Sequence, residues 1–255
     1  YAYDWGKALS RYLIRQADAH IAVSEAIRSY YLGSSSSERA HVIYNGVTSL
    51  AEFNRLYEEA HSNSPAERPY TFAIIGIIHP SKGQDVAIKA LAMVITRFPQ
   101  VRLLIVGSGD TGQLQALADE LGITQNVEFW GYIYDPYKAY LAADAVLMCS
   151  QHEAMGRVTV EAMAACRPVI GYDQAGTSEV IEHGRTGLLY RGGAESLAKC
   201  MLQFVEKPDW ARQLGENGWR VAREKYSIEN YARSIYQVLL SVAQQPAPSF
   251  RGRII

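Results

Sequence analysis

Cysteine is scarce in this chain: Cys149, Cys166 and Cys200 stand in apolar or helical contexts, and no two have C-x-x-C spacing. That excludes a disulfide framework and a structural zinc ribbon, and reads as buried thiols of a reducing, cytoplasmic compartment. Long hydrophobic runs are also missing. No stretch reaches the ~18 apolar residues of a spanning helix, and no basic-then-apolar leader opens the sequence. Neither sign of charge is in excess, since 25 Lys and Arg face 26 Asp and Glu, so bulk charge drives no binding to nucleic acid. Several chemistries lack their residues. His152-Glu153 is not followed by the second histidine of H-E-x-x-H, and there is no G-x-x-x-x-G-K-[ST] and no G-x-S-x-G. No D-x-D proposes a metal held on a diphosphate, so no metal site is expected.

What is present is a regular alternation. With 255 residues, 48% of them hydrophobic, the chain can bury a sizeable core. Beyond residue 69, strand-like runs at 70–75, 101–106, 127–130, 145–149, 169–172 and 188–190 alternate with helical patterns near 84–98, 111–121, 137–143, 157–166, 176–183 and 194–206. Near-continuous apolar strands between helices imply a parallel sheet covered on both faces, a doubly wound α/β domain. Two further helices are expected at 210–225 and 228–242, followed by a tail at 246–255. Before the domain the pattern gives a helix over 4–17, a strand over 19–23, a helix over 25–32 capped by Ser24, and a strand over 41–44 closed by Asn45-Gly46. Residues 49–60 are weakly helical, and the polar, proline-containing run 61–69 reads as a linker.

In such domains ligands sit beyond the carboxyl ends of the strands, so the loops there carry the chemistry. The loop after the fourth run of the domain holds Glu153 and, eight positions on, Glu161, with Gly156 and Arg157 between them. Glu153 falls on the loop and Glu161 inside the next helix, whose first N–H groups suit phosphate or sugar oxygens. A capped helix with two solvated glutamates fits the spacing equally well. Arg157 opposes the helix dipole, at ~0.3–1 kcal/mol unless an anion compensates. The first loop, Gly76 to Gly83, places Lys82 at a helix start, where it either neutralises phosphate or forms a solvated turn. The second, Gly107-Ser108-Gly109-Asp110-Thr111-Gly112, is a literal G-x-G-x-x-G with Glu128 further on, which keeps an NAD-linked oxidoreductase open. The third carries Tyr132, Ile133 and Tyr134 and offers a base-reading face or an ordinary aromatic turn. The fifth, Ala175 to Glu179, is a small-residue helix start that could close the other side of a pocket.

Taken together, Ile43-Tyr44-Asn45-Gly46-Val47, Lys82-Gly83, Val106-Gly107-Ser108-Gly109, Gly131-Tyr132, Ala143-Asp144-Ala145, the Glu153/Glu161 element with Pro168-Val169-Ile170, and Gly176-Thr177-Ser178-Glu179 resemble the retaining glycosyltransferases of the GT4 family, which have the two-domain GT-B fold. The resemblance implies a division into 1–46, the end of an N-terminal acceptor domain most of which lies outside this sequence; 47–69, a linker region; 70–225, a Rossmann-like nucleotide-sugar-binding domain; and 226–255, a crossing helix and tail. It implies transfer of a hexose from a UDP-sugar, glucose type foremost, to a saccharide or lipid-linked acceptor, with retention, no cofactor and no obligatory metal. Any peripheral membrane contact would belong to the N-terminal domain.

Carried over by position, Lys82 holds the donor diphosphate, Glu153 meets hydroxyls of the transferred sugar, and Glu161 accepts the ribose diol. Gly76 and Gly107 let the backbone approach, Met155, Gly156, Arg157 and Val158 offer N–H groups, and Tyr132 and Ile133 read the base. Lys82 and Glu153 are the catalytic pair. The chain departs from the family in three places. Ile77 stands where an arginine is usual, removing one diphosphate cation; Met155 replaces a phenylalanine; and Cys166 replaces a glycine. Arg157 is the candidate replacement cation. A binding module without turnover is the reading the Ile77 departure favours.

Overall fold

The computed structural model describes residues 9–10, 12–14, 16–33, 39–62 and 68–244. The helix expected over 4–17 is helical at the described residues 9–10, 12–14 and 16 and has ended in a bend at 17; residues 4–8, 11 and 15, residues 63–67 of the expected linker and the tail at 246–255 lie outside the described residues. β1 (His20–Ala22), α1 (Glu25–Leu32) and β2 (Ala40–Val42) form a parallel β–α–β unit of their own.

α2 (Leu50–Ser62) precedes the main sheet. The pattern reads weak there because only a narrow stripe is apolar. That stripe is fully used: Phe53 and Leu56 are wholly buried, and the Trp219 indole N–H donates to the Phe53 carbonyl at 2.9 Å.

The main sheet follows, from β3 (Thr71–Ile75), α3 (Gln84–Ile95), β4 (Arg102–Val106), α4 (Gly112–Glu120), β5 (Val127–Gly131), α5 (Tyr137–Ala142), β6 (Ala145–Met148), α6 (Arg157–Ala164), β7 (Val169–Tyr172), α7 (Ala175–Val180), β8 (Gly187–Tyr190) and α8 (Ala194–Glu206). A single 3₁₀ turn, Pro80–Lys82, opens α3. All six strands are parallel, in the order β5-β4-β3-β6-β7-β8. Expected and observed elements agree within a few residues, with α8 as expected and the other helices of the sheet shorter by one to three residues.

Why the strands read as continuous apolar runs is plain from the packing. Phe72, Ile74, Leu103, Ile105 and Leu147 go to one face, whereas Ala73, Leu104, Val106, Val146 and Met148 go to the other. Each face carries its own helices, so both sides of every inner strand leave water. Only the edge strand β5 is mostly exposed. Asp144 fastens the sheet's centre, accepting from the Thr71 N–H at 2.8 Å and pairing with Arg68, which gives the Ala143-Asp144-Ala145 element a structural role.

Two more helices, α9 (Pro208–Lys225) and α10 (Ile228–Ala243), end the described chain. Between them the backbone returns to the segment after β2. Val47 N–H donates to the Tyr226 carbonyl at 3.0 Å, and Ile228 N–H to the Thr48 carbonyl at 2.9 Å. No described helix is long and apolar enough to cross a membrane.

Candidate functional site

Chain order reverses between β3 and β6, because β3 leads outward through β4 to β5 while β6 leads the other way to β8. The loops leaving these two strands must diverge, and a crevice opens between them. A cavity of about 420 Å³ lies at that point, walled by the ends of β3 and β6 and by the loops that follow. Gly76, Lys82, Glu153, Met155, Gly156, Arg157 and Val158 line it together.

Lys82 reaches the cavity because its 3₁₀ turn is closed by Gly83 in the left-handed region at φ 72°, where an added Cβ would sit 2.7 Å from the Cys149 side chain. Its Nζ meets Glu153 Oε1 at 2.5 Å. Glu153 stands on the loop as the spacing implies, and its carbonyl accepts the Gly176 N–H at 2.9 Å. Gly156, at φ 76°, starts α6, and Arg157 is the first residue of that helix. Arg157 Nη2 lies 3.1 Å from Glu161 Oε1 one turn on, so the anion offsetting its unfavourable place on the dipole is Glu161. The buried Tyr140 hydroxyl donates to Glu161 Oε2 at 2.8 Å, and burial together with that carboxylate holds its pKa well above the usual phenol range. Lys82 and Glu153 thus both line the cavity, whereas in the second pair Arg157 lines it and Glu161 lies behind it, off the cavity wall.

The other expected residues are placed differently. Gly107 is off the cavity wall: its missing Cβ would fall 1.8 Å from the Gly76 carbonyl oxygen, and that of Gly109 would fall 2.7 Å from the Ile78 side chain. These two glycines of the G-x-G-x-x-G loop are used by packing against the first loop, and Glu128 is engaged by the Trp130 indole. Tyr132 is exposed, and Ile133 packs beside Ala139 and Ala143 rather than lining the cavity. Ile77 lines the cavity and is 56% exposed. Cys166 has φ 56°, which explains why a glycine suits that position.

Some neighbours were not foreseen. Val23 and Asn45 complete the cavity wall from the N-terminal side, and Asn45 N–H donates to Met155 Sδ at 3.1 Å. Glu179, expected to close a pocket, turns to the N-terminal unit. A contact between segments over a hundred residues apart leaves no periodic signal, so only the Asn45-Gly46 turn marked this place.

Fold and site define an open α/β domain of the class that takes its ligand at the switch point. The chain belongs to the glycosyl transferases group 1 family, whose model matches residues 57–221. It is 32% identical over 221 residues to D-inositol 3-phosphate glycosyltransferase of Nocardia farcinica, covering 80% of this chain and 45% of that protein. Alpha-maltose-1-phosphate synthase of Mycolicibacterium smegmatis is 29% identical, covering 92% of this chain and 66% of that protein. Anabaena HepE, crystallised with UDP and glucose, superposes with a TM-score of 0.78 at 26% identity, over 92% of this chain and 66% of that one. The chain thus spans about half to two thirds of the length of such relatives.

Proposed function

We propose that this domain holds the donor in the transfer of a hexose from a UDP-sugar, UDP-glucose type, to a saccharide or lipid-linked acceptor with retention of configuration and no obligatory metal. The observation that carries the reading is the Lys82–Glu153 pair across the switch-point cavity, within 2.5 Å. The crystals of HepE with UDP-glucose support the choice of donor.

Lys82 pairs with Glu153 at the cavity wall, and Arg157 pairs with Glu161 behind it. A diphosphate offers the cations better partners, and the hydroxyls of sugar and ribose do the same for the carboxylates. Lys82 and Arg157 take the diphosphate, Glu153 the transferred sugar, and Glu161 the ribose diol while Tyr140 keeps it aimed. The first N–H groups of α6 point at the same oxygens. Negative charge builds on the diphosphate as its bond to the sugar breaks, and fixed positive groups stabilise that charge most. Arg157 stands in for the cation absent at Ile77.

Calorimetry with UDP, GDP and NAD tests the binding step, with UDP expected to bind and NAD not. Tight NAD binding without nucleoside-diphosphate binding would remove the reading. Transfer from UDP-glucose by the full-length protein, with the product anomer read by NMR, tests turnover and retention. Binding without any transfer would favour the module reading that Ile77 suggests.

A further inference from the structure

The first four N–H groups of a helix lack partners within it and are usually met by a neighbouring side chain. In α1, Ser24 Oγ accepts from Ile27 N–H at 3.2 Å, and the helical ladder begins with Arg28 N–H on the Ser24 carbonyl at 3.0 Å, which leaves Glu25 and Ala26 N–H. These two are met from far along the chain. Glu25 N–H donates to Glu179 Oε2 at 2.8 Å and Ala26 N–H to Glu179 Oε1 at 2.7 Å. The Tyr44 hydroxyl, just past β2, donates to Glu179 Oε2 at 2.8 Å. Burial and the adjacent carboxylate push Tyr44 above the usual phenol range, so it stays a donor. One carboxylate on the main domain thus grips two segments of the N-terminal unit, the start of α1 and the exit of β2, with the helix dipole favouring its charge.

Glu179 sits on α7, whose other end touches the site. Gly176 N–H holds the Glu153 carbonyl, and Gly176 packs so closely that an added Cβ would lie 2.3 Å from the Ala154 carbonyl. The groups Glu179 grips are also near neighbours of cavity wall: Val23 lies two residues before Glu25, and Asn45 adjoins Tyr44.

We infer that Glu179 is a positioning residue that seats the N-terminal β–α–β unit against the donor cavity, so that Val23 and Asn45 complete the wall around Met155 and the Glu153 loop. The inference rests on the donor reading above. Glu179 touches neither substrate nor the reacting atoms, and it acts through the two segments it joins.

The test compares parent, Glu179→Ala and Tyr44→Phe by UDP calorimetry and by hydrogen exchange read by mass spectrometry. Glu179→Ala is expected to weaken UDP binding about tenfold or more, and to speed exchange both at residues 25–27 and at 153–158. Tyr44→Phe, which removes one of the three bonds, should shift both readouts the same way by less, and it keeps the test alive if Glu179→Ala fails to fold. Faster exchange at 25–27 alone, with UDP binding as in the parent, would make Glu179 a helix cap and nothing more, and would overturn the inference. If the parent binds neither UDP nor GDP, the donor reading falls by itself. Exchange at 153–158 then decides: faster in the variant supports the seating role, and unchanged overturns it.

Discussion

Lys82 and Glu153 pair at the cavity wall, so on the donor reading a diphosphate competes with Glu153 for the Lys82 charge. Lys82→Ala should therefore cost UDP more than uridine, by about 1.5–3 kcal/mol for the lost charged hydrogen bond. Titrating both ligands checks this, and equal losses would place Lys82 away from the phosphates. Glu161→Gln should weaken uridine binding without weakening pyrophosphate binding, because it frees Arg157 from a competing carboxylate. The cysteines give a third residue-scale expectation. Burial pushes both Cys149 and Cys166 up to about 12, so the folded chain holds their protons where the unfolded chain releases them. The stability this confers is fully present below about pH 9 and drains away as pH rises towards 12. Urea titrations across that range should show the decline, and iodoacetamide at pH 8 should label the three cysteines only after unfolding. The positions of Lys82 and Glu153 after β3 and β6, and of Glu161 within α6, were legible because short motifs tie them to the strand ends. Glu179 was read as closing a pocket because its partners, Glu25, Ala26 and Tyr44, lie over a hundred residues earlier.

The loops after β3 and β4 behave as one structure. Ile78 N–H donates to the Ser108 carbonyl at 2.8 Å and Gly76 N–H to the Val106 carbonyl at 2.9 Å. Gly107, at φ 151°, allows the approach. Gly107→Ala would set a Cβ on the Gly76 carbonyl and force the first loop aside. A loss of about 2–3 kcal/mol is expected, a melting shift of roughly 4–12 °C for a domain of this size, together with weaker UDP binding through displaced Lys82. Calorimetric melting checks the first part and titration the second. Strands were legible from their apolar runs because both faces are buried. The purpose of the glycines was not, since a G-x-G-x-x-G loop looks alike whether its bare backbone meets a phosphate or another loop. α2 was underread for a related reason: two fully buried residues, Phe53 and Leu56, are enough when Trp219 waits across from them.

At the scale of the molecule, alternation of strand and helix gave the parallel sheet but not its order, which depends on where each crossover returns. The reversal between β3 and β6 is what makes the cavity. α2 belongs physically to this body through α9, so Phe53→Ala should destabilise the whole main domain by about 3–5 kcal/mol, seen as one cooperative shift in denaturant midpoint. A separate early transition would show α2 to be an appendage instead. The strand of chain after β2 leaves the domain where α10 also leaves it. Gly46 packs onto Ile228 so tightly that an added Cβ would come within 2.8 Å of its Cα. The two exits therefore share one contact. Asn45 is a single residue from it, while Glu25 and Ala26, two and three residues beyond Val23, are held by the Glu179 carboxylate. The N-terminal part of the cavity wall is thus held at two separate points, one beside each of the residues it contributes.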